Sequence, residues 1–141
     1  MKSKFTTLFV LLVVAVLVSA CGSSAPQGKA VSALTKEEAT AVIENAMQGF
    51  KDGDYAVWSR DWSDAMKGGV NESAFLASRE QVTSQVGQFV SIESLEIQPG
   101  MKKGYVRWVA VCNFEKGQVK VIFGFLNEGK QVEGVFPEVV K

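Results

Sequence analysis

Histidine is absent from all 141 residues. Its absence removes the commonest general base and the commonest metal ligand together. Cysteine is scarce, with Cys21 and Cys112 alone. An excess of charge is missing as well: fifteen basic and fifteen acidic side chains cancel. No basic stripe appears, so nucleic acid is not an expected partner. No segment repeats at a fixed period. Paired carboxylates at a useful spacing, a nucleophile beside a base and a phosphate loop are all missing. These gaps argue against an enzyme and against a resident metal or cofactor. A long apolar run is lacking too. Phe5 to Val18 holds only apolar residues and threonine. It falls short of the roughly 20 residues that a spanning helix needs, and no basic stop follows.

What the chain does have begins at that run. Lys2 and Lys4 precede it, and the small residues Ser19 and Ala20 follow, then Cys21. A basic start, a short apolar core and a small-residue cleavage site describe an export signal over residues 1–20. The ending Val18-Ser19-Ala20-Cys21 resembles the bacterial lipoprotein box. That resemblance implies cleavage before Cys21 and acylation of its sulfur and of the new amino group. More than one chain matters, because a single acyl chain binds membrane only reversibly. The alternative is an uncleaved anchor with an incidental cysteine; the shortness of the run and the placing of the small residues favour cleavage. The expected location is the extracytoplasmic side of a cell membrane. Loss of Lys2 and Lys4 leaves a net side-chain charge of −2. With Cys21 acylated, Cys112 is the one thiol left, so stability must come from packing rather than a disulfide. Residues 21–34, small and polar with Pro26 and Gly28, read as a lipidated flexible tether, and 35–141 as one domain.

The domain opens with helices. Thr35-Lys36-Glu37-Glu38 spells a capping box. Ala39, Val42, Ile43, Ala46, Met47 and Phe50 then recur on one helical face until Asp52-Gly53. Asp54 can cap a short helix from Tyr55 to about Arg60, with another turn or two over Trp62 to Lys67. Asn71 can cap a helix from Glu72 to Val86, with Phe75, Leu76, Val82 and Val86 inward and Gly87 at its end.

From Phe89 the period changes to two. Val90 and Ile92 share one parity, Leu95 and Ile97 the other, which predicts a bulge near Glu93-Ser94. Tyr105–Phe114, Val119–Leu126 and Gln131–Phe136 read as further strands, with Lys116-Gly117 and Glu128-Gly129 as two-residue hairpin loops. Those loops pair 113 with 120 and 107 with 126, then 125 with 132 and 121 with 136. One face then carries Val106, Trp108, Ala110, Cys112, Phe114, Val119, Val121, Phe123, Phe125, Val132, Gly134 and Phe136. In this register Phe123 covers Gly134. The other face is mixed: Tyr105, Arg107, Val109, Val111, Asn113, Lys120, Ile122, Gly124, Leu126, Gln131, Glu133 and Val135.

The expected fold class is α+β, three N-terminal helices packed on a curved four-stranded antiparallel sheet. This order resembles the nuclear transport factor 2-like (cystatin-like) superfamily, whose bent sheet forms a cone. Within it, Asp52-Gly53-Asp54-Tyr55, Ser63-Asp64-Ala65-Met66-Lys67, Gln81 to Phe89 and Gln131-Val132-Glu133-Gly134 with Pro137 look like domain-of-unknown-function family 3887. The resemblance implies a fold and assigns no activity. Enzymes of the superfamily place an Asp or His inside the cone, and the apolar face has neither. Asp61, Asp64, Glu80 and Glu93 read as surface charges, and Cys112 as a small core residue. Tyr55, Trp58, Trp62, Phe75, Trp108 and Phe123 either surround an apolar ligand cavity or fill the cone, since pockets and cores use the same residue types. On the mixed face, Tyr105, Arg107, Val109, Val111, Ile122 and Leu126 compose an expected association surface, for a protein partner or for a second copy of the chain.

Overall fold

The computed structural model describes residues 30–140. The expected signal and Cys21, the expected acylation site, lie outside them. Four helices come first. α1 (Lys36–Asp52) starts as expected: Thr35 Oγ1 accepts from the Glu38 amide, and Glu38 Oε2 accepts from the Thr35 amide. Gly53 ends it at φ 72°, in the left-handed region that suits glycine. Arg79, reaching from a later helix, donates to the carbonyls of Phe50 (2.6 Å) and Lys51 (2.8 Å). Those are last-turn acceptors with no α1 amide four residues on, although the Gly53 cap amide reaches Phe50 O at 3.4 Å. α2 (Tyr55–Trp58) is capped by Asp54, α3 (Asp64–Gly69) by Ser63, and α4 (Glu72–Val86) by Asn71.

The expected count of three helices therefore becomes four. The segment after Asp54 breaks because Trp62 is held extended, in a parallel bridge to Val132. The Val132 amide donates to Asp61 O and its carbonyl accepts from the Ser63 amide. Leu76, expected inward, is 44% exposed, while Phe75, Val82 and Val86 are buried. Ala30 packs on the body and Leu34 is buried in the core, so the last residues of the segment read as tether, 30–34, join the domain before its first helix.

The sheet is an open antiparallel meander in the order β1 (Phe89–Pro99), β2 (Tyr105–Phe114), β3 (Gly117–Leu126) and β4 (Val132–Val139). β1 has a register shift between Ile92 and Ser94, where the parity switch predicts one, and a second between Phe89 and Ser91. The β2–β3 turn is Glu115-Lys116, not Lys116-Gly117, since Phe114 pairs with Gly117. Its amides are taken by the carbonyls of Gln88 and Val86, which pins the turn to the end of α4. The whole β2–β3 ladder thus slips two places from the expected register. A slip of two leaves every side chain on its face.

β4 differs in kind. Phe125 pairs with Val132 as expected, but the loop before it runs over residues 127–131. One residue further a bulge intervenes, and Gly124 pairs with Gly134, Phe123 with Val135 and Ile122 with Phe136. This one-residue shift exchanges the faces. Val135 turns half-buried towards the core, while Phe136 is 61% exposed on the other side. Gly134 is covered by the Phe136 ring rather than by Phe123.

Candidate functional site

The interior is occupied by its own aromatic side chains. Trp58 lies 4.3 Å, centroid to centroid, from both Trp62 and Phe75. Tyr55 closes the group at 6.2 Å from Trp62 and 6.0 Å from Phe75, and its hydroxyl donates to Val70 O. Trp62, Phe75 and Phe123 are fully buried, and the Trp62 indole N–H meets no acceptor among the described residues. Trp108 is buried on the sheet with its indole N–H on Ser32 Oγ, 3.4 Å away. Of these six residues, Trp58 alone lines the hollow left between helices and sheet. That hollow measures about 130 Å³ and is walled mainly by Met47, Phe50, Met66, Val82, Val121 and Val135, with the Ser78 hydroxyl as its polar side chain. Its lining has thioethers, rings and aliphatic groups, and no acid or base. Ligand pockets ordinarily run from about 300 Å³ upward.

Cys112 faces this interior, and burial pushes its thiol up to about 12. A thiol so placed stays protonated and unreactive at neutral pH. Asp64, Glu80 and Glu93 lie on the surface and Asp61 is half-buried, paired with Arg60. No cluster of three Asp, Glu or Cys side chains able to hold a metal occurs among the described residues.

The outer face can be written as a lattice from the registers. One row across the four strands is Ser94, Val111, Lys120, Glu138; the next is Glu96, Val109, Ile122, Phe136; the third is Gln98, Arg107, Gly124, Gly134. Tyr105 and Leu126 pair in the row beyond, 39% and 40% exposed. The third row has two facing glycines, so β3 and β4 present bare backbone there. Around this gap lies an open groove of about 520 Å³, walled by Tyr105, Arg107, Ile122, Phe136, Glu133 and Glu138, with Met101 and Lys102 at one end. Arg107 is fixed by donating to Pro99 O (3.0 Å) and Gln98 Oε1 (3.3 Å). Among the described residues it pairs with no carboxylate. Glu133 accepts from Ser63 Oγ at 2.9 Å. The groove thus offers apolar walls, an anchored guanidinium and two carboxylates.

Three of the six residues expected on the association surface, Tyr105, Arg107 and Ile122, line this groove. Val109 and Val111 are half-buried on the same face, and Leu126 stands at its margin. Phe136, Gly134 and Met101 escape the sequence reading. For Phe136 a signal exists: Val132 and Val135, three apart, break strict alternation much as Ile92 and Leu95 do in β1.

These features define an α+β domain in which four helices cover one face of an open four-stranded antiparallel sheet. Residues 32–135 match the family described as Protein of unknown function (DUF3887), and the chain belongs to that family. Among curated proteins none matches. The NMR structure of a protein from Ruminococcus gnavus ATCC 29149 superposes with a TM-score of 0.61 at 14% identity, covering 74% of this chain and 91% of that one. At that identity the likeness speaks for the fold alone.

Proposed function

We propose that the chain is a lipoprotein, cut before Cys21 and acylated there, whose body stands on the extracytoplasmic side of a cell membrane and binds a protein partner rather than catalysing a reaction. The finer likeness, to the helix-filled cone of the nuclear transport factor 2-like superfamily, belongs to the same reading. The observation that carries it is the groove over Gly124 and Gly134. It falls within the size range of ordinary ligand pockets, about 300 Å³ and upward, which the interior hollow does not reach. Phe136 and Tyr105 offer ring faces, and Arg107 offers unused donors to a carboxylate. A second reading keeps a place for the hollow. Dry cavities near 150 Å³ take up benzene-sized molecules, so this one suits a single small apolar group.

The test is a photo-cross-linking residue at Ile122 of the acylated chain in its own membranes. A discrete adduct is expected, with a second copy or another protein. Gly124→Ala should weaken it by narrowing the groove; a Cβ there meets only the Gly134 backbone, 3.8 Å away, which is ordinary contact, so the fold tolerates the change. Labelling that is diffuse, or unchanged by Gly124→Ala, sinks the reading.

A further inference from the structure

The turn between β1 and β2 is Gly100-Met101-Lys102-Lys103-Gly104. It is a built turn: the Gly100 amide donates to Tyr105 O (3.0 Å), the Tyr105 amide to Lys102 O (3.2 Å), and the Asn127 amide to Gly104 O (2.9 Å). Gly104 sits at φ 86°. The turn therefore holds its tip outward, with Met101 89% exposed. Lys102 and Lys103 flank it, both exposed, and among the described residues neither meets a carboxylate. Ala30 and Val31 share one shallow hollow with these residues, and Val31 is 62% exposed. The chain thus enters the body beside an apolar tip ringed by two cations.

Cys21 lies nine residues before Ala30. Even fully extended, such a span reaches only about 30 Å. The end of the body that holds Met101 is accordingly the end tied nearest to the acyl groups. An exposed thioether and valine beside two lysines are complementary to a bilayer with anionic headgroups, where apolar groups enter the interface and cations gain from the surface potential. We infer that this turn is a second membrane contact, in which Met101 and Val31 enter the headgroup region of an anionic bilayer while Lys102 and Lys103 lie against its phosphates. The inference rests on the proposed acylation of Cys21. It makes the anchored body oriented: the β1–β2 turn faces the membrane, and the β2–β3 turn at the other end of the meander faces away.

The experiment uses the acylated chain in phosphatidylcholine vesicles with and without phosphatidylglycerol, whose anionic headgroups supply a negative surface potential. Met101→Cys, and separately Lys116→Cys as the far-end control, carries a polarity-sensitive nitrobenzoxadiazole label; Cys112 is buried and does not compete. The label at 101 should brighten and shift to the blue on the anionic vesicles, and the one at 116 should not. Lys102→Gln with Lys103→Gln should lower the docked-to-undocked ratio at 101 about 25-fold, near 5-fold per charge removed. A label at 101 as aqueous as at 116, or equally bright on neutral vesicles, overturns the inference while leaving the anchor intact. A mass showing Cys21 unmodified in the native membrane overturns the anchor and this inference together.

Discussion

Gly49→Ala sets two effects of opposite sign against each other. In a helix interior alanine is favoured over glycine by about 1 kcal/mol, so propensity alone predicts a stabilised protein. Gly49, however, is where α1 meets α2. A Cβ built there lies 2.7 Å from Trp58 Cα, 2.9 Å from its Cβ and closer still to its backbone nitrogen. These are not the ends of flexible side chains. α2 is held to α1 by Asn45 Nδ2 donating to Val57 O (2.8 Å) and by the Asp54 amide donating to Gly49 O (2.9 Å). Relief requires α2 to move by about 1 Å, carrying Trp58 off Trp62 and Phe75. Overpacking a core costs about 1–3 kcal/mol, and a contact that meets backbone belongs at the upper end. Net of propensity, Gly49→Ala should destabilise by about 2 kcal/mol. Gly68→Ala in α3 is the matched control, since a Cβ there meets nothing within 4 Å. It should stabilise by about 0.5–1 kcal/mol. Urea unfolding followed by circular dichroism reads both, with unchanged slope in denaturant as the sign that only stability moved. A Gly49→Ala midpoint at or above the parent's would refute the close-approach argument.

Three further outcomes are expected. Cys112 should resist a water-soluble disulfide reagent at pH 8 in the fold and react within the mixing time in urea. Because its folded value is raised from 9.0 to about 12 by burial, its contribution to stability is full below pH 9 and is lost as pH rises towards 12; a flat stability profile across that range contradicts the burial. Thr35→Ala should cost about 1 kcal/mol by removing the α1 cap. The Glu38 carboxyl is held below its ordinary value by Lys130, then by the Thr35 amide, so its contribution is present above pH 4.5 and is lost as pH falls through its lowered value; Glu38→Gln should flatten that acid limb. Finally, if the groove's occupant is a second copy, the body should sediment as a dimer at tens of micromolar, roughly −6 to −7 kcal/mol of association. Phe136→Lys, in the groove wall and 61% exposed, should then return it to monomer without unfolding.

Much of this fold is legible in the sequence because its signals are redundant. The capping box at Thr35 and Glu38, the apolar stripe from Ala39 to Phe50 and the glycine after it each mark α1 independently. The faces of β2 and β3 survive a misplaced turn because an error of two residues is invisible to a period of two. Placing the turn correctly needed knowledge of α4, whose last carbonyl captures the Lys116 amide. The short helices are harder. Whether Trp62 is helical or extended is decided by Val132, seventy residues away, and no local propensity records that. Whether six aromatic residues enclose a cavity or fill one depends on packing distances, which composition does not carry.

The error in β4 bears on function. Strict alternation sends Phe136 inward, where its ring would gain about 1.5–3 kcal/mol from burial. The bulge instead puts Val135 and Pro137 against the interior hollow and leaves that ring 61% exposed beside two bare glycines. The interior does not explain this choice, since the hollow there retains about 130 Å³. Foldability rules are expected to break at sites kept for another purpose. One extra residue in β4 both exposes the ring and aligns Gly134 with Gly124, and those two consequences together make the groove. A partner that seats on Phe136 would recover the burial that folding forgoes. Under the proposed reading, that recovery is what the bulge gains on the outer face of the sheet.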